Sequence, residues 1–180
     1  MREHSAEKRV PAPWRVPVAV EDVAETGAVL DLIADAETRA AVARVAGLRD
    51  MPRLEAHFEV KRHGEGLHVA GRVSATVGQS CVVTLEPLVN EIEEEIDLLF
   101  MPPAAAPPEG EDTGDDVRDK AEPLIGGMVD LGALATEFLI LGIDPYPRKP
   151  GALFQPPPDA EPDQGPFAAL AALKKDRDGR

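Results

Sequence analysis

Between Gly71 and Pro103 the chain carries two consecutive runs of period-two alternation, and a chain built that way must form a sheet with one buried face. In the first run Gly71, Val73, Ala75 and Val77 alternate with Arg72, Ser74 and Thr76. After Glu86-Pro87 the pattern resumes, with Leu88, Ile92, Ile96, Leu98 and Phe100 on one side and Glu91, Glu93, Glu95 and Asp97 on the other. A helix competes for this second run, because Ile92, Ile96 and Leu99 also sit at i, i+4 and i+7. Four acids within five residues, Glu91 and Glu93 to Glu95, would crowd a helix surface with like charge, whereas a strand sends three of them to one face. The strand reading is favoured.

The segments upstream supply partners for this pair. Leu54, Ala56, Phe58 and Val60 alternate with Glu55, His57, Glu59 and Lys61, His63 to Gly66 reads as a turn, and Leu67, Val69, Gly71 and Val73 continue the apolar face on the return strand. The matching of apolar faces predicts Val60 opposite Val69 and Phe58 opposite Gly71. It places His57 opposite Arg72 and Lys61 opposite His68 on the outer face. Trp14 to Val20 reads as a first strand, with Pro17 marking an edge or a bulge, and Ala28 to Ile33 as a second. Asp35 is placed to cap a helix over Ala36 to Ala46 that Gly47 ends. Asp130 is placed to cap another from Leu131 to about Gly142, with Leu131, Leu134, Phe138 and Leu141 on one face. So apolar a helix belongs across the open face of the sheet.

These elements predict one α+β domain over residues 14–154, with a mostly antiparallel, bent or partly closed sheet and two packed helices. Residues 1–13 are expected to form a mobile arm, 102–121 a flexible acidic Pro-rich loop, and 155–180 a Pro-rich linker with a short tail helix opened by Pro166. Docking of that helix in cis or on a partner stays open. A length of 180 residues with 43% hydrophobic content suits one core and tails. No apolar run is long enough for a bilayer, the N-terminus lacks the apolar region of a signal peptide, and one cysteine allows no intramolecular disulfide. The expected compartment is cytoplasmic.

The net charge of −14 is unevenly spread. Residues 1–72 hold 11 basic against 12 acidic side chains, residues 73–143 hold 2 against 15, and residues 144–180 hold 6 of each. A polyanionic chain repels nucleic acid at every salt concentration, so any RNA contact must be local or made through a basic partner.

The blocks Gly71-Arg72-Val73, Cys81-Val-Val-Thr-Leu85-Glu86-Pro87 and Phe100-Met101-Pro102 together resemble the core signature of the YceD family, the bacterial and plastid large ribosomal RNA accumulation proteins. A second block agrees: Val129-Asp130-Leu131-Gly132, Glu137 in an apolar helix, then Asp144-Pro145-Tyr146-Pro147. The likeness covers roughly Trp14 to Phe154. It implies a non-enzymatic factor supporting accumulation of large-subunit (23S) ribosomal RNA. The implied partner is that RNA or a pre-ribosomal particle, met directly or through a basic ribosomal protein. Some relatives carry paired cysteines at the equivalent of Cys81 and again after the late helix, as a zinc site would require. Here the first block has one cysteine and DPYPRKPGALF has none, so the metal does not carry over.

The residues themselves point away from catalysis. His57, His63 and His68 lie on or beside one hairpin but show no metal-ligand spacing, no serine sits in a nucleophile elbow, and no Gly-rich phosphate loop is present. No enzyme, cofactor or small-molecule substrate is expected. Cys81 reads as a small buried hydrophobe in register with Val77 and Val83. Two surface features remain. His57, Lys61, His68 and Arg72, with Arg49, Arg53 and Arg62 nearby, form the one local basic patch and the candidate RNA or ribosome contact. Glu91, Glu93, Glu95 and Asp97 form an acidic strip that would either discourage edge-to-edge aggregation or dock a basic protein. The strip supports a second reading, an acidic adaptor or chaperone that binds a basic protein without touching RNA.

Overall fold

The computed structural model describes residues 12–103 and 121–154. The expected N-terminal arm, acidic loop and C-terminal tail helix fall almost wholly outside them. The described elements are β1 (Pro17–Ala19), β2 (Ala28–Ile33), α1 (Ala36–Val45), β3 (Asp50–His63), β4 (Gly66–Ser80), β5 (Pro87–Met101), β6 (Glu122–Pro123), β7 (Met128–Asp130) and α2 (Leu131–Gly142). The class is α+β. Five strands form a sheet in the order β2-β3-β4-β5-β6, antiparallel except for the short β5–β6 pair, and open, with β2 and β6 at its edges.

The alternation in β3, β4 and β5 sets which face is buried. Leu54, Phe58 and Val60 of β3, Leu67, Val69, Val73, Ala75 and Val77 of β4, and Ile92 and Ile96 of β5 all lie in the core. The hairpin register is the one the apolar faces demand: Val60 pairs with Val69, Phe58 with Gly71, His57 with Arg72 and Lys61 with His68. The run from Pro87 is a strand, so Glu91, Glu93, Glu95 and Asp97 share the outer face, while Glu94 turns inward against Gly142 at the end of α2. β3 and β4 extend beyond their alternating stretches, and β3 does so through a register shift between Asp50 and Arg53.

Helix α1 starts where Asp35 accepts from the Thr38 N–H at 2.8 Å, and it packs on β3. α2 lies across the inner face against β4 and β5. Its buried seam is Leu131, Leu134, Ala135 and Leu139, at i, i+3, i+4 and i+8. Leu141 is 75% exposed and does not belong to the core, because it falls on the far side of that seam. The sequence also missed that β1 leaves the main sheet: it pairs with β7 in a separate two-stranded ribbon, where Pro17 sits at the first pair. Asp130 ties ribbon to helix, accepting from the Val16 N–H at 2.8 Å and from the Ala133 N–H at 3.2 Å. Gly132 follows because a Cβ there would press on the Trp14 backbone. The block Val129-Asp130-Leu131-Gly132 is thereby explained as a structural joint.

Candidate functional site

The outer face of the sheet carries both groups of sequence-predicted site residues side by side. Across β2, β3, β4 and β5 one row runs Asp31, His57, Arg72, Glu95, flanked by rows through Glu55, Ser74 and Glu93 and through Glu59, Ala70 and Asp97. The basic patch and the acidic strip are therefore one mixed surface. It bears seven carboxylates (Asp31, Glu55, Glu59, Glu91, Glu93, Glu95, Asp97) against three permanent cations (Arg53, Lys61, Arg72). The net sign is negative.

Most of the basic groups are already engaged. His57 Nδ1 lies 2.7 Å from Asp31, His68 Nε2 lies 2.7 Å from Asp97, and Lys61 Nζ donates to Glu59 at 3.2 Å. Arg53 spans two strands: it donates to Glu91 at 2.7 Å and to the Ser74 hydroxyl at 2.9 Å, and its Nη1 lies 3.4 Å from Glu55. The Thr76 hydroxyl donates to the other Glu91 oxygen at 2.7 Å. That hydroxyl, then the Arg53 guanidinium, hold the Glu91 carboxyl below the ordinary glutamate range, and Glu91 in turn pushes Arg53 up. Among the described residues Arg72, Glu93 and Glu95 make no ion pair. Arg72 lines two shallow depressions of the face, about 340 and 490 Å³, which meet at His57 and Arg72, and Glu93 and Glu95 line the larger. The side chains of Asp31 and Asp97 are 79% exposed, so the histidine pairs are solvated and cost little to open.

Asp31, Glu55, Glu59, Ser74 and Thr76 are the members of this network that pattern reading left out of the candidate site, whereas Arg53 was placed beside it. Asp31 was legible as an outer position of the Ala28 to Ile33 run. The reach of Arg53 to Glu91 was not, because it depends on the β3–β4–β5 order.

A second constellation forms where β4 hands over to β5. Cys81 lies in the connecting turn rather than in a strand, and it is fully buried. Its thiol is more than a small hydrophobe: Sγ accepts from the Lys149 N–H at 3.3 Å and from the Thr84 N–H at 3.4 Å. These donors, Lys149 first, favour the thiolate and bring its pKa down to about 6. The Val82 N–H donates to Pro147 O, Gln79 donates to Asp144 O, and Lys149 Nζ donates to Glu86 at 3.0 Å. Leu85 takes up a left-handed conformation, φ +61°, to close the turn. The Cys81 to Pro87 and Asp144 to Pro147 motifs are thus two halves of one clasp. It offers a single thiol, and among the described residues no group of three or more His, Cys, Asp or Glu could hold a metal ion.

Compared with known proteins, residues 69–174 match the family model described as large ribosomal RNA subunit accumulation protein YceD. No curated protein and no solved structure matches. No described helix is long and apolar enough to cross a membrane.

Proposed function

The chain belongs to the YceD family of large ribosomal RNA subunit accumulation proteins, and on that premise we propose that it is a non-enzymatic, cytoplasmic binding factor that supports large-subunit rRNA during ribosome assembly. Its outer sheet face is the docking surface, and the partner that meets this face is a basic protein of the pre-ribosomal particle rather than bare RNA. The observation that carries this is the charge of the face: seven carboxylates against three permanent cations, with Glu93 and Glu95 unpaired among the described residues. Phosphate binding there would set like charge against like. A lysine- or arginine-rich protein would complete ion pairs with Glu93 and Glu95 and could take over the weakly held Asp31 and Asp97.

The test is a binding titration of the full chain against individual purified basic large-subunit ribosomal proteins and against fragments of the large-subunit rRNA. Glu93→Gln with Glu95→Gln should weaken capture of a basic protein by about tenfold, on the order of 1.4 kcal/mol for two exposed pairs. RNA capture lost in Lys61→Ala and Arg72→Ala, with protein capture unchanged, would reverse the assignment of the face. The same face also supports the second reading, an adaptor that holds a basic protein and never touches RNA. Contact with RNA elsewhere on the chain separates the two.

A further inference from the structure

Where α1 meets the start of β3, the molecule has a cleft of about 480 Å³ whose rim carries Arg39, Arg44 and Arg49. Its floor is apolar, built from Ala40, Ala43, Leu48, Met51 and Pro52. In a chain of net charge −14 this is a local reversal of sign. The opposing carboxylate within the lining is Asp50, which packs against the Gly78 backbone, leaving three guanidinium groups against one acid.

These arginines are held differently from the ion-paired cations elsewhere among the described residues. Arg53, Lys61, Arg15 and Lys149 are each neutralised by a described carboxylate. Arg39 instead donates to the Ala34 carbonyl at 2.7 Å and Arg49 to the Ser80 hydroxyl at 3.2 Å. Neutral oxygens fix their direction, and among the described residues none of the three cleft arginines makes an ion pair, Asp35 at the start of α1 being the carboxylate that feels the charge of Arg39. Arg44, one helical turn from Ala40 on the same stripe of α1, is exposed. Forked guanidinium groups that no described carboxylate pairs are suited to phosphate oxygens. The apolar floor between them suits the face of an unstacked base, and guanidinium planes also stack on bases.

We infer that this cleft binds a single-stranded segment of RNA, with backbone phosphates on Arg39, Arg44 and Arg49 and a base against the floor. The inference deepens the reading of the protein as an rRNA factor: the sheet face takes protein, and the α1 cleft takes RNA.

The experiment is fluorescence anisotropy of a labelled, mixed-sequence, single-stranded RNA 12-mer titrated with the full chain across a salt series. The wild type should bind with a negative salt slope. Arg39→Gln/Arg44→Gln/Arg49→Gln should lower affinity at least tenfold and flatten the slope by about 2, from roughly 0.7 per lost phosphate contact. Because Arg39 and Arg49 also hold neighbouring backbone and side chain, Arg44→Glu alone is the second variant, and a several-fold loss is expected there. Arg15→Gln, beside the β1 ribbon and outside both surfaces, should leave RNA binding unchanged. Absence of RNA binding by the wild type, or affinity unaltered in both cleft variants, overturns the inference. So does competition by poly-glutamate as strong as that of unlabelled RNA, which would assign the cleft to an acidic polypeptide. None of these outcomes touches capture of basic protein through Glu93 and Glu95, which stands or falls by its own titration.

Discussion

Gly71→Ala is the substitution whose sign the packing decides. In open surroundings, replacing a strand glycine by alanine would stabilise by about 0.4–1 kcal/mol, because the unfolded chain loses freedom. Here the new Cβ would run into the His57 carbonyl oxygen and lie 2.9 Å from Phe58 Cδ1 and 3.0 Å from Phe58 Cα. Phe58 is fully buried and cannot swing aside, and the His57 carbonyl belongs to the paired strand. The two central strands must then separate locally, an overpacking cost of roughly 1–3 kcal/mol that outweighs the entropic gain. Net of that gain, the expected loss is roughly 1–2 kcal/mol. Trp14, the single tryptophan and itself buried, reports unfolding by its fluorescence. With a urea slope of about 2 kcal/mol per molar, the midpoint should fall by about 0.5–1 M. Gly71→Ala combined with Phe58→Leu should cost less than the two changes summed, since the smaller side chain vacates part of the contested space. A midpoint unchanged or raised in Gly71→Ala would refute the close approach of β3 and β4 at this point.

Asp130→Ala should cost more than Asp35→Ala, about 2 against about 1 kcal/mol by the same urea assay, because Asp130 holds the Val16 N–H as well as its own helix; equal losses would contradict the joint between ribbon and α2. Glu91 is a depressed carboxyl, so its contribution to stability is complete above the ordinary glutamate value of 4.5 and is lost as pH falls through its lower folded value. In a carboxyl-detected NMR titration, Thr76→Val should move Glu91 back up further than Arg53→Gln does, following the order of the two causes, and the reverse order would refute it. Cys81 has a depressed thiol that is also buried, so its stabilising effect grows between about pH 6 and the ordinary thiol value of 9.0 and is lost as pH falls through about 6. Its reaction with a thiol reagent should be limited by opening of the clasp, and reaction of native protein at the rate of a free thiolate would show that the clasp does not shield it.

The central sheet was readable because each long strand keeps one face strictly apolar, and a one-residue slip at Phe58 or Val69 would expose the whole set. The register of His57 with Arg72 followed from that constraint together with the turn at His63 to Gly66. Both helices were readable from Asp35 and Asp130, whose side chains accept from backbone three residues on. The β1–β7 ribbon was not, since three-residue strands carry no period and their pairing spans more than a hundred residues. Leu141 was misplaced because Leu131 to Gly142 is apolar nearly all round, and only the position of the sheet selects the buried stripe. The site was legible as residues but not as a surface: sequence separates Lys61 and Arg72 from Glu91 to Asp97, and β4–β5 pairing sets them on one face. The arginine cleft was invisible because Arg39 and Arg44 lie on a helix and Arg49 in the loop that follows, and their common direction is a tertiary property.

The measurement closest to the central claim is the ratio of large- to small-subunit rRNA in cells depleted of this protein and supplied with either the wild type or Glu93→Gln/Glu95→Gln. Depletion should lower the ratio, the wild type should restore it, and the variant, folded and equally abundant, should not. A ratio unmoved by depletion would contradict the assignment to large-subunit rRNA accumulation, and full restoration by the variant would contradict the role given to the outer face of the sheet.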